Sequence, residues 1–409
     1  DAEEDENNNT SGIKQINRVS DNDINSGIID PHTNDKGDEE FITEFEVHDN
    51  GEYYFVVEDN AGNKTLVPVT VNNIDRDAPT INFTFDGEKW YNNPFVIDLT
   101  LMDDFGLAKV VFNENVEGVE PEEQNLSGAK EETVTYTINR KGKHTFTVYD
   151  ISGNKTTEII NDVKYDTIAP VYDTNSETSD ISVTLDPSAP TQTNVNITVT
   201  AKDAAENENN YSSGIKQISR VTSNDVDADV TESRTNDNQE ELFSATFDVN
   251  NNGEYYFVIE DIAGNKTLIP VEVNNIDGID PVIDLDYDGE KWQNAPFSVN
   301  INASDNFGIA KIVFPDGSEE TFEEKPVSVN KSYEISKKGS YTFTVYDEAG
   351  NTNIKTIIVE RYDTVAPSTS DIVAKVNPPE PTNTNINIEI TAKDAAPDDE
   401  NNSSGIRQI

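Results

Sequence analysis

The chain has 409 residues, 29 of them Lys or Arg against 79 Asp or Glu, for a net charge of −50. Charge of that sign repels DNA, RNA and anionic lipid over most of the surface and favours cations as partners, so neither nucleic-acid binding nor membrane insertion is expected. With no cysteine there are no disulfides and no thiolate metal sites, and no apolar run approaches the roughly 20 residues that span a bilayer.

Taken in chain order, the sequence repeats. It opens on "DAEEDENNNTSG", which lacks the basic and apolar regions of a signal peptide and reads as mature or internal. "SGIKQINRV" at 11–19 returns as "SGIKQISRV" at 213–221 and "SGIRQI" at 404–409, placing glycines at 12, 214 and 405, recurrences of 202 and 191 residues. Inside each recurrence the phrase G-x-[YH]-x-F-x-[VI]-x-D-x-x-G-N begins at Gly51, Gly142, Gly253 and Gly339. A second phrase, D-x-x-x-P, follows at Asp75, Asp166, Asp277 and Asp363, always 12 residues beyond the Asn of the first. Boundaries after these aspartates give a partial long-type domain at 1–75 that lacks its opening strands, a short-type domain at 76–166, a long-type at 167–277, a short-type at 278–363, and the opening strands of another long-type at 364–409. The two end pieces are complementary. That predicts either an excerpt of a longer tandem array or a subunit that polymerises head to tail by strand complementation.

Within each domain the hydrophobic period is two. Val195, Ile197, Val199 and Ala201 alternate with polar residues, as do Tyr255, Phe257 and Ile259, the pattern of half-buried strands. Frequent turn signals such as "NNG" at 251–253 favour an antiparallel sandwich over a βαβ arrangement. Lengths near 100 residues suit an immunoglobulin-like domain, with the G-x-Y-x-F phrase as its sixth strand and its Tyr bonded back to the main chain. The fold expected is all-β: tandem immunoglobulin-like antiparallel β-sandwiches in an elongated rod. His144 takes the Tyr position in one domain and reads as a core substitution, because no metal-ligand spacing links it to His32 and His48.

The "YDTIAP" and "YDTVAP" linkers at 165–170 and 362–367, with the "V-x-D-x-A-G-N" turns, resemble the tandem bacterial Ig-like repeats in the stalks of large cell-surface adhesins. "IDGIDPVID" at 276–284 departs from that linker. The resemblance implies an extracellular protein of the bacterial surface or cell wall with a spacer or adhesive role and, in many members, bound Ca²⁺. Partners expected from it are neighbouring copies of the repeat and a host-surface protein or glycan.

Geometry adds a site. Twelve largely extended residues span about 40 Å, so each D-x-x-G-N turn and the following linker lie at opposite ends of a domain, and a linker aspartate belongs beside the next domain's turn. In an immunoglobulin-like fold that end also carries the loop between the second and third strands. Asp166 is then expected to meet Asp203, Asp261 and Asn265, while Asp277 and Asp280 meet Asp305, Asp347 and Asn351. Asp75 and Asp77 meet Asp103, Asp104, Asp150 and Asn154, and Asp363 and Asp394 begin the same set in the last piece. Such oxygen-rich clusters suit Ca²⁺, which takes six to eight hard ligands in flexible geometry, better than the stricter Mg²⁺. The alternative needs no ligand: each Asp caps its turn and the glycine supplies positive φ.

Weaker candidates are Trp90 and Trp292 as sugar-stacking platforms or packing residues, and the segments 204–213 and 223–241 as partner contacts or solvated loops. Lys202 is a conceivable isopeptide donor. No nucleophile set, phosphate loop or recognisable acid pair points to catalysis. The expected function is a non-catalytic stalk with Ca²⁺-stiffened junctions; the alternative is an adhesive module whose long-type domains grip a host or glycan ligand.

Overall fold

Period-two alternation becomes strands throughout the computed structural model, which describes residues 10–38, 40–174, 178–203, 207–395 and 397–409. The first group is β1 (Ile13–Val19), β2 (Ile28–Thr33), β3 (Gly51–Asp59) and β4 (Lys64–Val71), one antiparallel sheet in the order β2-β1-β3-β4. Next come β5 (Thr80–Asn82), β6 (Phe95–Met102), β7 (Leu107–Phe112), β8 (Glu122–Asn125), β9 (Glu131–Ile138), β10 (Gly142–Asp150) and β11 (Lys155–Val163). They form sheets β5-β6-β9 and β11-β10-β7-β8.

The same plan recurs in β12 (Ile181–Asp186), β13 (Val195–Ala201), β14 (Ile215–Val221), β15 (Val230–Thr235), β16 (Phe243–Val249), β17 (Gly253–Asp261) and β18 (Lys266–Val273), with sheets β12-β13-β16 and β15-β14-β17-β18. It recurs again in β19 (Val282–Asp286), β20 (Phe297–Ser304), β21 (Ile309–Val313), β22 (Glu319–Thr321), β23 (Ser328–Ile335), β24 (Gly339–Asp347) and β25 (Thr352–Val359), with sheets β19-β20-β23 and β22-β21-β24-β25. After a single 3₁₀ turn at Thr369–Asp371, β26 (Ile372–Asn377) and β27 (Asn387–Ala392) form a lone hairpin. No α-helix occurs among the described residues.

Contacts divide the chain into two compact units, one of residues up to Lys89 with Pro94–Lys164, the other of Trp90–Asn93 with Tyr165–Ile409. In the second unit, Val195, Ile197 and Val199 from one sheet and Ile218, Phe257 and Ile259 from the other share a core with almost no exposure. Burial of this kind contributes roughly 25 cal/mol per Å² of apolar surface, and it is available only where two sheets face each other. Val299 and Ile301 against Ile312 and Phe343 build the next core in the same way.

The sixth-strand Tyr bonds back to the main chain four residues upstream. The hydroxyls of Tyr53, Tyr255 and Tyr341 donate to the carbonyls of Asp49, Asn251 and Lys337 at 2.5, 2.7 and 2.8 Å. His144, fully buried, takes over the role through Nε2, 3.2 Å from the Arg140 carbonyl, with Nδ1 3.3 Å from the Tyr136 hydroxyl. Burial pushes its pKa down to about 4, so it sits in the core as a neutral ring.

Candidate metal centres

Strand parity explains how aspartates arrive at one place. Along β13 the inward row Val195, Ile197, Val199 and Ala201 continues, two residues on, into Asp203, and along β17 the row Phe257 and Ile259 ends in Asp261. Successive inward positions are two apart, so both carboxylates cap the core at the same end of the sandwich. A β-bulge at the start of the third strand recurs beside the sixth-strand Asp: Ile215 pairs with Asp261, Ile309 with Asp347 and Ile13 with Asp59, each just before a register shift. Leu107 pairs with Asp150 in the same position.

Three triads result. In each, carboxylate oxygens of Asp75, Asp103 and Asp150, of Asp166, Asp203 and Asp261, or of Asp277, Asp305 and Asp347 lie within 4.8 Å of one another. Two ligands on opposite sides of a Ca²⁺ ion, each 2.3–2.6 Å away, would be about 5 Å apart, so the spacing suits a shared cation. Asp166 and Asp261 are wholly buried, Asp277 is 2% exposed and Asp203 7%. Burial drives the Asp261 carboxyl up to about 7, with Asp166 adding to the shift. It raises Asp203 for the same reasons, and Asp277 with help from Asp305 and Asp347.

Turn capping accounts for part of each triad. Asp261 Oδ1 accepts the amides of Gly264 and Asn265 at 2.7 and 2.8 Å, and Oδ2 accepts the Asn265 side chain at 2.8 Å. Gly264 has φ +97°, a conformation in which an L side chain is strained. Asp347 and Asp150 are held in the same manner by Asn351 and Asn154. The Asn then reaches the linker: Nδ2 of Asn265 donates to the Asp166 carbonyl at 3.0 Å and that of Asn351 to the Asp277 carbonyl at 3.1 Å. Capping leaves a remainder. Asp75 Oδ2, Asp203 Oδ1 and Asp277 Oδ2 are buried and accept no hydrogen bond. A buried charged oxygen without a partner is costly, and each of these three belongs to a different triad.

Asp77, Asp104 and Asp280 are exposed and outside the triads: Asp104 is one step from Asp103 and so on the other face of the chain, while Asp77 and Asp280 lie past turns in which Asp75 and Asp277 Oδ1 accept the amides of Asp77 and Ile279. Asp363 and Asp394 repeat the first two members. Ser404 N bonds Asp363 Oδ2 at 2.9 Å and Gly405 N bonds Asp394 Oδ2 at 2.6 Å, as Ser213 N bonds Asp166 and Gly214 N bonds Asp203.

The long-type loop has a role that sequence reasoning missed. Residues 204–206 lie outside the described residues, but Asn210 Oδ1 accepts both the amide and the hydroxyl of Thr167 at 2.9 Å, and Tyr211 N donates to the Tyr165 carbonyl at 2.8 Å. Asn401 clamps Thr364 identically. The Asn three residues before S-G-I in both long loops was the available signal. Of the segment 223–241, the middle is strand β15 rather than loop. Trp90 packs edge-on against Tyr211 at 6.4 Å between ring centres, whereas Trp292 is 41% exposed. Lys202 is exposed.

No family model and no curated protein matches the chain. Among solved structures it is similar to a Ca²⁺-stabilised adhesin that helps an Antarctic bacterium reach out and bind ice, at 14% identity and a TM-score of 0.33 over 87% of this chain and 90% of that one. It is similar also to a tetra-tandem repeat in the extending region of a large adhesion protein, at 13% identity and a TM-score of 0.27 over 87% and 93%. Fibronectin(III)-like modules of Clostridium thermocellum CbhA share 17% identity with a TM-score of 0.22, over 44% of this chain and 95% of theirs. Scores at this level carry no argument about this chain, whose β-sandwich architecture rests on its own sheets.

Proposed function

We propose that the chain is a non-catalytic stalk segment of a bacterial surface adhesin, divided into modules at 1–75, 76–166, 167–277, 278–363 and 364–409, with Ca²⁺ stiffening the points where each linker enters a module. The reading places the protein outside the cell, at the surface or wall, with further copies of the repeat as neighbours. The observation that carries it is the recurrence of one triad at three linker entries, each with a buried carboxylate oxygen that no protein group satisfies. A divalent cation there would supply the missing partner and offset three like charges, while Asn265 and Asn351 already tie turn to linker. A linker held by both loses the freedom of a short flexible peptide.

Small-angle scattering and thermal melting of the whole chain, with millimolar Ca²⁺ and then with chelator, test this reading. Chelation is expected to broaden the distribution of dimensions and lower the Tm. Unchanged dimensions and an unchanged Tm would leave turn capping as the whole explanation.

A further inference from the structure

The residue before the sixth-strand glycine differs with module type: Asn50 and Asn252 in the long-type modules, Lys141 and Lys338 in the short-type ones. In the long type it closes the module's own end. Asn252 Oδ1 accepts the Ile276 amide at 2.9 Å and Nδ2 donates to the Ile276 carbonyl at 2.7 Å. Asn50 holds Ile74 in the same way, at 2.9 and 2.7 Å. Ile74 and Ile276 immediately precede the linker aspartates Asp75 and Asp277. A side-chain amide both donates and accepts, so it can pair with the N–H and the C=O of one residue; an ammonium only donates.

In the short-type module at 278–363 the linker residue is held from the other side, within the second compact unit. Tyr362 stands where Ile276 does, and its carbonyl accepts the Asn402 amide at 2.7 Å from the long loop that follows. Lys338 reaches into the same loop. Its main-chain amide donates to the Glu400 carbonyl at 2.9 Å. Its Nζ donates to the carbonyl of Asp398, to that of Asn401 at 3.1 Å and to Asn402 Oδ1 at 3.3 Å. The three donors of the ammonium thus meet oxygens of one loop, and Lys338 is half-buried where its neighbour Lys337 is exposed.

The loop's shape belongs to the long-type module. In the module at 167–277, Asn207 N donates to the Asn210 carbonyl at 3.1 Å and Tyr211 N to the Tyr165 carbonyl at 2.8 Å, as Asp398 N donates to Asn401 at 3.0 Å and Asn402 N to Tyr362. A short-type module has no counterpart: only residues 305–308 separate β20 from β21, where 202–214 separate β13 from β14. Charge agrees, since Lys337 and Lys338 face a loop that carries Asp398, Asp399 and Glu400, and opposite charges on two closing surfaces favour the right partner over the wrong one.

We propose that this position selects the type of module that follows: Lys338 recognises the oxygens of a long-type loop, whereas Asn252 satisfies its own linker and presents no ammonium to such a loop, leaving the place to a short-type module. The contacts of Lys338 involve no member of the acidic triads, so a joint made in this way holds without metal.

Amide exchange of the full chain in excess chelator tests this, because no outcome then depends on bound Ca²⁺. The Asn402 amide is expected to be protected in the unsubstituted chain and to exchange at least tenfold faster in Lys338→Met, which keeps the stem and removes the ammonium. Lys338→Asn, which installs the long-type residue, is expected to release Asn402 equally and to slow the Tyr362 amide several-fold, a transfer that simple loss of packing would not produce. The β20–β23 ladder amides should keep their rates in both variants, which separates release of the loop from unfolding. Asn252→Lys should speed the Ile276 amide at least tenfold, since the segment 305–308 brings no matching oxygens. An Asn402 amide that neither Lys338 substitution accelerates, or that is already unprotected in chelator, would overturn the role of Lys338, and an Ile276 amide indifferent to Asn252→Lys would overturn that of Asn252.

Discussion

The long-type module at 167–277 and the long-type pieces at 1–75 and 364–409 carry nearly the same residues in two environments. Ile197 is fully buried and its counterpart Ile388 is 60% exposed. The Asp261 carboxyl is pushed up to about 7 by burial, whereas its counterpart Asp59 is lowered, chiefly by the hydrogen bond from the Asn63 side chain. The turn is the same in both, so the difference comes from what covers it. A local motif sets the hydrogen bonds of the cap, and the facing sheet and incoming linker decide whether the cap becomes a desolvated, charge-crowded site.

The largest expected effect is on amide exchange. The β13–β16 ladder amides should exchange at least ~10³-fold more slowly than those of 41–47 and β27, since core strands open only with global unfolding. Equal rates would break the comparison. Next is the core itself: Ile197→Ala should cost about 2–5 kcal/mol and Ile388→Ala within about 0.5, measured by denaturant unfolding. For the metal, 10 mM Ca²⁺ at sites of about 10⁻⁴–10⁻³ M should stabilise the module holding Asp261 by about 1.4–2.7 kcal/mol. Asp261→Ala should remove that gain and Asp59→Ala, outside the three triads, should not.

A second pair sharpens the lesson between short-type modules. The His144 ring has a pKa of about 4 when folded against an ordinary 6.5, so below pH 6.5 the unfolded chain takes up a proton that the folded core refuses. Stability of that module should fall by about 2 kcal/mol from pH 7 to pH 5. His144→Tyr, which matches Tyr341 of the sibling module, should flatten the profile. Smallest is the loop clamp, which the 364–409 piece retains: Asn210→Ala and Asn401→Ala should each cost about 1 kcal/mol, and a markedly unequal pair would show that the clamp depends on the rest of the module.

Much of this was legible in the sequence. Repeats, strand alternation and the constant spacing from turn to linker suffice to bring Asp166 together with Asp203, Asp261 and Asn265, which the structure places side by side. Nearness along the chain also suggests Asp77, Asp104 and Asp280; parity excludes Asp104, one step from Asp103, and the turns capped by Asp75 and Asp277, which no spacing rule reveals, carry the chain away before Asp77 and Asp280. Segment 41–47 shows a limit of a different kind. Its alternation matches β16, yet it forms no ladder, since a strand needs a partner that local sequence does not provide. The unpartnered oxygens of Asp203 and Asp277 were also out of reach, because satisfaction is a property of the packed neighbourhood rather than of a motif.

The most direct test is the number of Ca²⁺ ions bound, measured by equilibrium dialysis on the whole chain. Three per chain are expected, falling to two with any one of Asp150→Ala, Asp261→Ala or Asp347→Ala. No saturable binding, or binding that these substitutions leave untouched, would contradict the assignment of the triads to Ca²⁺.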